Sequence, residues 1–231
     1  MIDFRQYKVF IFDFDETMYY SSTIKATYLN YLRRVLNDLT NFSEEDIEAK
    51  LEQYGFKGDG STRVSFGKNC EKFGITKQQW NNYRIDNFFE IDYQNAIIAD
   101  NAVYTTLAQI GKLFIVSNEI KENIILKAQK LGIDLTPFKK IYAPSKADVL
   151  NYDSSKKIVY ETILNNEGIS PQSAIVFGDR YLVDISPMEE LGGKGVLIKR
   201  ADELNKILLF NKEYKNDERY AVSCFNGGKG Y

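Results

Sequence analysis

Asp13-Phe14-Asp15-Glu16-Thr17 follows directly on the apolar run Val9-Phe10-Ile11-Phe12. Two carboxylates one residue apart at a strand end repel each other and call for compensation, which a divalent cation supplies. A second acidic strand end is Gly178-Asp179-Arg180-Tyr181-Leu182-Val183-Asp184, after Ile175-Val176-Phe177. Its glycine is expected to let the chain turn tightly, so that Asp179 points at the same edge as Asp13. Asp184 would face the site from the start of the next helix. A third strand end, Ser117-Asn118 after Leu113-Phe114-Ile115-Val116, offers a small hydroxyl ahead of a helix. That arrangement can hold a phosphate oxygen, or it can serve as the N-cap of a helix from Ile120.

The chain contains no histidine. Histidine phosphatases, Ser-His-Asp hydrolases and His-ligated zinc enzymes are thereby excluded. Any hydrolysis must run on carboxylates, hydroxyls, lysines or an oxygen-bound metal. Neither a Walker A pattern nor a GxGxxG follows a strand, so no phosphate-cradling glycine loop is expected.

The elements that must position these residues are legible as short apolar runs. Val9 to Phe12, Leu113 to Val116, Ala174 to Phe177, Val196 to Ile198 and the weaker Ile141 to Ala143 read as strands buried on both faces. Helical periods over Ile120 to Leu131 and Ile158 to Leu164 separate them, with Gly132 and Gly168 as stop signals. Alternating strand and helix predicts an α/β fold with a parallel sheet, and ligands of such sheets bind beyond the carboxyl ends of the strands. Between the first and second strands lie about 95 residues with no convincing buried strand. They hold amphipathic helix candidates at Ile24 to Leu39, Ser43 to Tyr54 and Lys77 to Phe89, with a loop over Gly55 to Thr62. The expected division is a Rossmann-like core at residues 1–18 and 100–210, a helical cap at 19–99 and a poorly ordered tail at 211–231.

In order and placement, the DxDxT of Asp13, Asp15 and Thr17, Ser117-Asn118, and the GD(x)₄D of Asp179 and Asp184 resemble the haloacid dehalogenase-like superfamily of hydrolases. The resemblance implies that Asp13 is a nucleophile and Asp15 a general acid and base. It implies a Mg2+ cofactor bound by Asp13, Asp15 (through its main-chain carbonyl) and Asp179, with Asp184 in support. Thr17, Ser117 and Asn118 would bind the substrate phosphate. A lysine would neutralise nucleophile and phosphate: Lys156 fits best, with Lys157 and Lys146 as alternatives, and the family's Lys-Pro pair is missing. Asp15 with Asp179 points to phosphate chemistry, because the dehalogenases lack the second aspartate and the metal.

The implied activity is a phosphatase acting on a small soluble phosphate ester through an aspartyl-phosphate. A phosphotransferase and a non-catalytic phosphate-binding or scaffolding protein are the alternatives. The run Asp15-Glu16-Thr17-Met18-Tyr19 also resembles the pyrimidine 5′-nucleotidase branch, a lean toward nucleoside monophosphates, with sugar phosphates next. Of the cap residues, Arg63, Lys68 and Arg84 are candidates to meet substrate charge, with solvation the ordinary alternative. Lys25, Lys57 and Lys68 are placed where a Schiff-base lysine would sit in phosphonate-cleaving relatives. Phe66, Phe73, Trp80, Tyr83, Phe88 and Phe89 are spaced for packing within the cap.

Composition agrees with a folded enzyme of small molecules. The 231 residues are 44% hydrophobic, enough for a normal core, and 30 basic against 32 acidic residues leave a net charge of −2. Nothing there suggests a nucleic-acid polymer or an anionic membrane as partner. The first residues, Met1-Ile2-Asp3-Phe4-Arg5, carry an acid and no long apolar run, so no signal peptide is expected. Cys70 and Cys224 are far apart and read as free thiols, with a single disulfide as the alternative. A cytoplasmic location is expected; oligomeric state is open.

Overall fold

The computed structural model describes residues 2–56, 66–147 and 155–208. The tail from residue 211, with Cys224, lies outside the described residues, as do Lys57, Arg63 and the side chains of Lys25 and Lys68. The chain divides into two compact units. The first comprises the described parts of Met1–Tyr20, Ile97–Ala143 and Asp153–Tyr231; the second comprises the described parts of Ser21–Ala96 and Pro144–Tyr152.

The first unit is built on five parallel strands: β1 (Val9–Phe12), β4 (Lys112–Val116), β5 (Phe138–Tyr142), β6 (Ala174–Gly178) and β7 (Lys194–Leu197), in the order β5-β4-β1-β6-β7. β1 is central because all four of its residues are apolar and fully buried, which suits a strand covered on both faces. Alternation then sorts its side chains. Val9 and Ile11 join Phe114, Val116, Tyr160, Ile163 and Val176 in one core. Phe12 turns the other way, stacking on Phe177 and meeting Tyr104 and Phe138 edge-on. Each such buried side chain contributes about 1.5–3 kcal/mol relative to exposure.

The helices of this unit are α5 (Asn101–Ala108), α6 (Lys121–Leu131), α7 (Lys156–Glu167) and the short α8 (Ser186–Glu190). Gly132 and Gly168 end α6 and α7 in left-handed conformation, φ 72° and 63°, where a side chain would be strained. A small antiparallel ladder, β2 (Tyr19–Tyr20) with β3 (Ile97–Ile98), also belongs here. These two-residue strands lie in the stretch read from sequence as strandless; they are too short to show a period. The cap was expected over 19–99, whereas residues 19–20 and 97–99 lie in the first unit.

The second unit is helical: α1 (Ile24–Leu39), α2 (Glu44–Gln53), α3 (Phe66–Asn69) and α4 (Lys77–Asp86). Leu29, Leu32 and Leu36 recur at helical spacing and face a core shared with Ile47, Leu51, Phe56, Phe66, Phe73, Trp80 and Tyr83. Phe89 packs on its margin, and Cys70 is buried and unbridged. Reciprocal capping boxes start α2 (Ser43 with Asp46) and α4 (Thr76 with Gln79). α4 ends at Asp86, short of the expected Phe89. Both nitrogens of Asn87 donate to the Tyr83 carbonyl while its own carbonyl accepts from the Tyr31 hydroxyl, so the chain is satisfied without another turn. Arg84 lies over the Trp80 ring, 5.6 Å from its centroid. No helix among the described residues is long and apolar enough to cross a membrane.

Candidate active site

The register of the central strands sets the site. Phe12 pairs with Ile115 on one side and Phe177 on the other, so Asp13, Ser117 and Asp179 leave neighbouring strands within two residues of the same level. The Asp13 N–H donates to the Phe177 carbonyl, extending the ladder into the loop (2.9 Å). Every residue singled out at these strand ends belongs to the first unit, as does Lys156.

Asp13 is buried, and its Oδ1 accepts from Lys156 Nζ at 2.7 Å. The same ammonium donates to Asp184 Oδ1 at 2.6 Å and is only 2% exposed. Burial alone would lower the Lys156 pKa, but the charges of Asp13 and Asp184 outweigh it and hold the value above normal, so the group stays an ammonium. Lys157 points outward to Glu190 (2.9 Å), and Lys146 falls in the second unit. Of the three lysines weighed from sequence, Lys156 is the one brought to Asp13. It sits in the first turn of α7.

Asp184 lies not at the start of a regular helix, as expected, but in a wide π-helical turn, Tyr181–Ile185, ahead of α8. The turn folds its carboxylate back so that Oδ2 accepts from the Arg180 N–H (2.9 Å) while Oδ1 takes Lys156. Gly178 is needed for this approach and not, as the sequence suggested, for its turning freedom. A Cβ there would stand 2.3 Å from the Asp184 Cβ, and Gly178 is absent from the positive-φ positions.

Asp13, Asp179 and Asp184 each offer a carboxylate oxygen, all within 4.8 Å of one another. Burial, with the Asp184 charge adding to it, pushes the Asp13 carboxyl up despite Lys156. Burial first and then the Asp13 charge push Asp179 up to about 8. Asp179 faces its nearest cation, Arg180 Nε, at 3.8 Å. Three carboxylates against one close ammonium leave an excess of negative charge, and the donors are all hard oxygens. That set fits a magnesium ion. Asp13 Oδ2 and both Asp179 oxygens take no hydrogen bond among the described residues, whereas both Asp184 oxygens are engaged.

The loop after β1 turns at Glu16, which adopts φ 57°. A non-glycine residue there costs on the order of 1 kcal/mol and is tolerated at sites the surroundings over-determine. The turn leaves Asp15 beside two donors: Lys127 Nζ at 2.8 Å and the Tyr19 hydroxyl. Ser117 Oγ accepts from the Glu119 N–H (3.1 Å), while α6 begins only at Lys121 after an Ile120 cap, so Ser117 does not cap it. Asn118 is half-buried beside it. Thr17 is fully buried, its hydroxyl without a partner among the described residues.

Lys127 escaped the sequence reading. Its signal was its position: with Asn123, Ile124 and Ala128 it forms the buried face of α6, where a lysine is out of place unless paired.

A family model for haloacid dehalogenase-like hydrolases matches residues 7–192. Among solved structures, the chain resembles a HAD phosphatase from Thermococcus onnurineus (18% identity, 87% of this chain and 97% of that one, TM-score 0.55). It also resembles a haloacid dehalogenase-like family hydrolase from Streptococcus pneumoniae (17%, 89% and 91%, 0.55). A third is the magnesium-bound YfnB from Bacillus subtilis (16%, 88% and 99%, 0.52). At such identities the likeness is one of fold. No curated protein matches the chain. With the family match spanning most of the chain and the strand-end carboxylates in one cluster, the chain belongs to the haloacid dehalogenase-like hydrolases.

Proposed function

We propose that the chain is a magnesium-dependent phosphomonoesterase that hydrolyses a small soluble phosphate ester through an aspartyl-phosphate on Asp13. The observation that carries this reading is the pairing of the buried Asp13 with Lys156, inside the carboxylate cluster it forms with Asp179 and Asp184.

Asp13, the Asp15 main-chain carbonyl and Asp179 would hold the magnesium ion, with Asp184 in support. When bound, the ion supplies positive charge that lets the anionic ester approach an anionic nucleophile. The chain's own residues do the rest. Lys156 holds Asp13 by Oδ1 and leaves Oδ2 to attack phosphorus. Oδ2 forms the new P–O bond as the ester P–O bond breaks, and the departing oxygen takes a proton from Asp15. Water then adds to phosphorus, gives its proton to Asp15, and the bond to Asp13 breaks to release phosphate. Ser117 accepts from Glu119 and keeps its own hydroxyl proton for a phosphate oxygen. For the substrate, the Asp15-Glu16-Thr17-Met18-Tyr19 run supports nucleoside monophosphates as the first class to try.

The test is phosphate release from p-nitrophenyl phosphate and a metabolite panel, with magnesium and with EDTA, using Asp13→Asn as control. Magnesium-dependent release that the variant abolishes is expected, together with a phosphorylated intermediate labelled at Asp13. Full activity in Asp13→Asn, or in EDTA, overturns the reading.

A further inference from the structure

Lys127 is 112 residues from Asp15 in sequence, yet its ammonium is 1% exposed and lies 2.8 Å from Asp15 Oδ1. An unpaired ammonium at that depth would be driven to lose its charge. Burial does act on Lys127 in that direction, but the charges of Asp15 and Glu119 outweigh it and hold its pKa above normal. The second carboxylate, Glu119 Oε2, is 3.1 Å away and itself only 12% exposed. Glu119 is fixed in turn, because its Oε1 accepts from the Ile120 N–H (2.7 Å) and from Asn123 Nδ2 (3.3 Å). The loop after β4 thus grips Lys127, and Lys127 grips Asp15.

The Tyr19 hydroxyl donates to the same oxygen, Asp15 Oδ1. Burial, reinforced by the Asp15 charge, keeps that phenol well above its ordinary pKa, so it remains a donor. Two donors therefore converge on Oδ1, and among the described residues no hydrogen bond reaches Oδ2. Two bonds to one oxygen from different elements, α6 and β2, fix the rotation of the carboxyl group as well as its place. The side chain is 34% exposed, so one edge faces outward while Oδ1 is held inside.

We infer that Lys127, held by Glu119, is a positioning residue that works with Tyr19 to clamp Asp15 by Oδ1 and leave Oδ2 as the proton-exchanging oxygen. This rests on Asp15 acting as acid and base in the proposed hydrolysis. Oδ2–H gives its proton to the ester oxygen as that oxygen leaves phosphorus. The Oδ2 carboxylate then takes a proton from water as the water oxygen bonds to phosphorus and the Asp13 oxygen departs. Oδ1 exchanges nothing and keeps both clamping bonds throughout. A lysine that merely filled the core would need neither two carboxylate partners nor a shared oxygen with Tyr19.

The test compares leaving groups. p-Nitrophenolate departs without a proton, whereas the alkoxide of an alkyl phosphate needs one, and kcat/KM reports steps through phosphoryl transfer to Asp13. The full-length wild type, Lys127→Met, Lys127→Gln, Tyr19→Phe and Asp15→Asn are assayed with magnesium on both esters, with circular dichroism and melting temperature as controls for folding. For Lys127→Met the expected loss in kcat/KM is about 30-fold or more on the alkyl ester and about 3-fold or less on p-nitrophenyl phosphate. On the aryl ester kcat and KM should fall together, because hydrolysis of the intermediate also needs Asp15. Lys127→Gln, which keeps an N–H for Oδ1, should recover part of the alkyl loss, and Tyr19→Phe should show the same pattern more weakly. Equal losses on both esters, or none, overturn the inference provided Asp15→Asn discriminates between them. If Asp15→Asn itself does not discriminate, the acid–base reading fails, and the clamp falls with it. Should Lys127→Met not fold, Lys127→Gln and Tyr19→Phe decide: no leaving-group dependence in either overturns the clamp.

Discussion

Replacing Asp179 by asparagine removes the carboxylate that the site compensates least. Asp13 and Asp184 share the Lys156 ammonium at 2.7 and 2.6 Å, while Asp179 has Arg180 at 3.8 Å. Burial and the Asp13 charge raise its pKa from 3.8 to about 8. Such an acid binds its proton more tightly folded than unfolded, so the penalty on folding is absent below about pH 4. It grows as pH rises and is complete above about pH 8. At about 1.4 kcal/mol for each pH unit between those values the ceiling is about 6 kcal/mol. The side chain is 18% exposed, and solvent screening reduces this to a few kcal/mol. For a chain of this length about 1 kcal/mol moves the melting temperature by roughly 2–4 °C. In EDTA the wild type should therefore lose roughly 5–10 °C between about pH 5 and pH 8.5. Asp179→Asn should remove the part of that slope that Asp179 carries, leaving the decline from Asp13, whose shift runs the same way. Saturating magnesium should restore the wild type most at the alkaline end and the variant little, with proton release on binding near neutral pH. The assay is a melting curve read across pH with and without the metal. A flat wild-type profile in EDTA, or an unchanged slope in Asp179→Asn, refutes the reasoning.

Three further outcomes are expected. Lys156→Met leaves Asp13 and Asp184 facing each other in a buried site and should cost about 3–5 kcal/mol in urea denaturation; Lys157→Met, losing only a surface pair with Glu190, should leave the midpoint essentially unchanged. Gly178→Ala puts a methyl group where Asp184 stands and should cost about 1–3 kcal/mol by overpacking, with phosphate release falling as Asp184 is pushed off Lys156. Thr76→Ala removes the reciprocal cap of α4 and should cost about 1 kcal/mol, without changing the kinetics of p-nitrophenyl phosphate.

Much of the core could be read in advance because its signals are local. Val9–Phe12 is uniformly apolar, so a strand covered on both faces is the reading its composition allows, and the polar residues that follow must lie at its end. The spacing of Asp13 to Asp15 and of Asp179 to Asp184 carries the family pattern within a few residues of chain. α1 was legible because Leu29, Leu32 and Leu36 keep a helical period within the stretch Ile24 to Leu39. The β2–β3 ladder was not legible, since two residues on each side show no alternation and pair across 77 and 79 positions. The π-helical turn at Tyr181–Ile185 was invisible for a related reason. Its geometry answers to Asp184 reaching Lys156 and the Arg180 N–H, partners that local propensity does not record.

The lysines show where the division falls. From residue types alone, Lys156, Lys157 and Lys146 were all candidates, because adjacent positions near a helix start differ only in the direction they face. Folding separates them: α7 turns Lys156 inward to Asp13 and Lys157 outward to Glu190. Lys127 is the stronger case. In sequence it is one lysine among several on an amphipathic helix; in the fold it is buried between Asp15 and Glu119. Short-range spacing determines which carboxylates sit at the strand ends, since strand and turn are decided within a few residues. Which cation compensates each of them depends on helix rotation and packing across a hundred residues, and that is decided only when the sheet and its helices close around the charges.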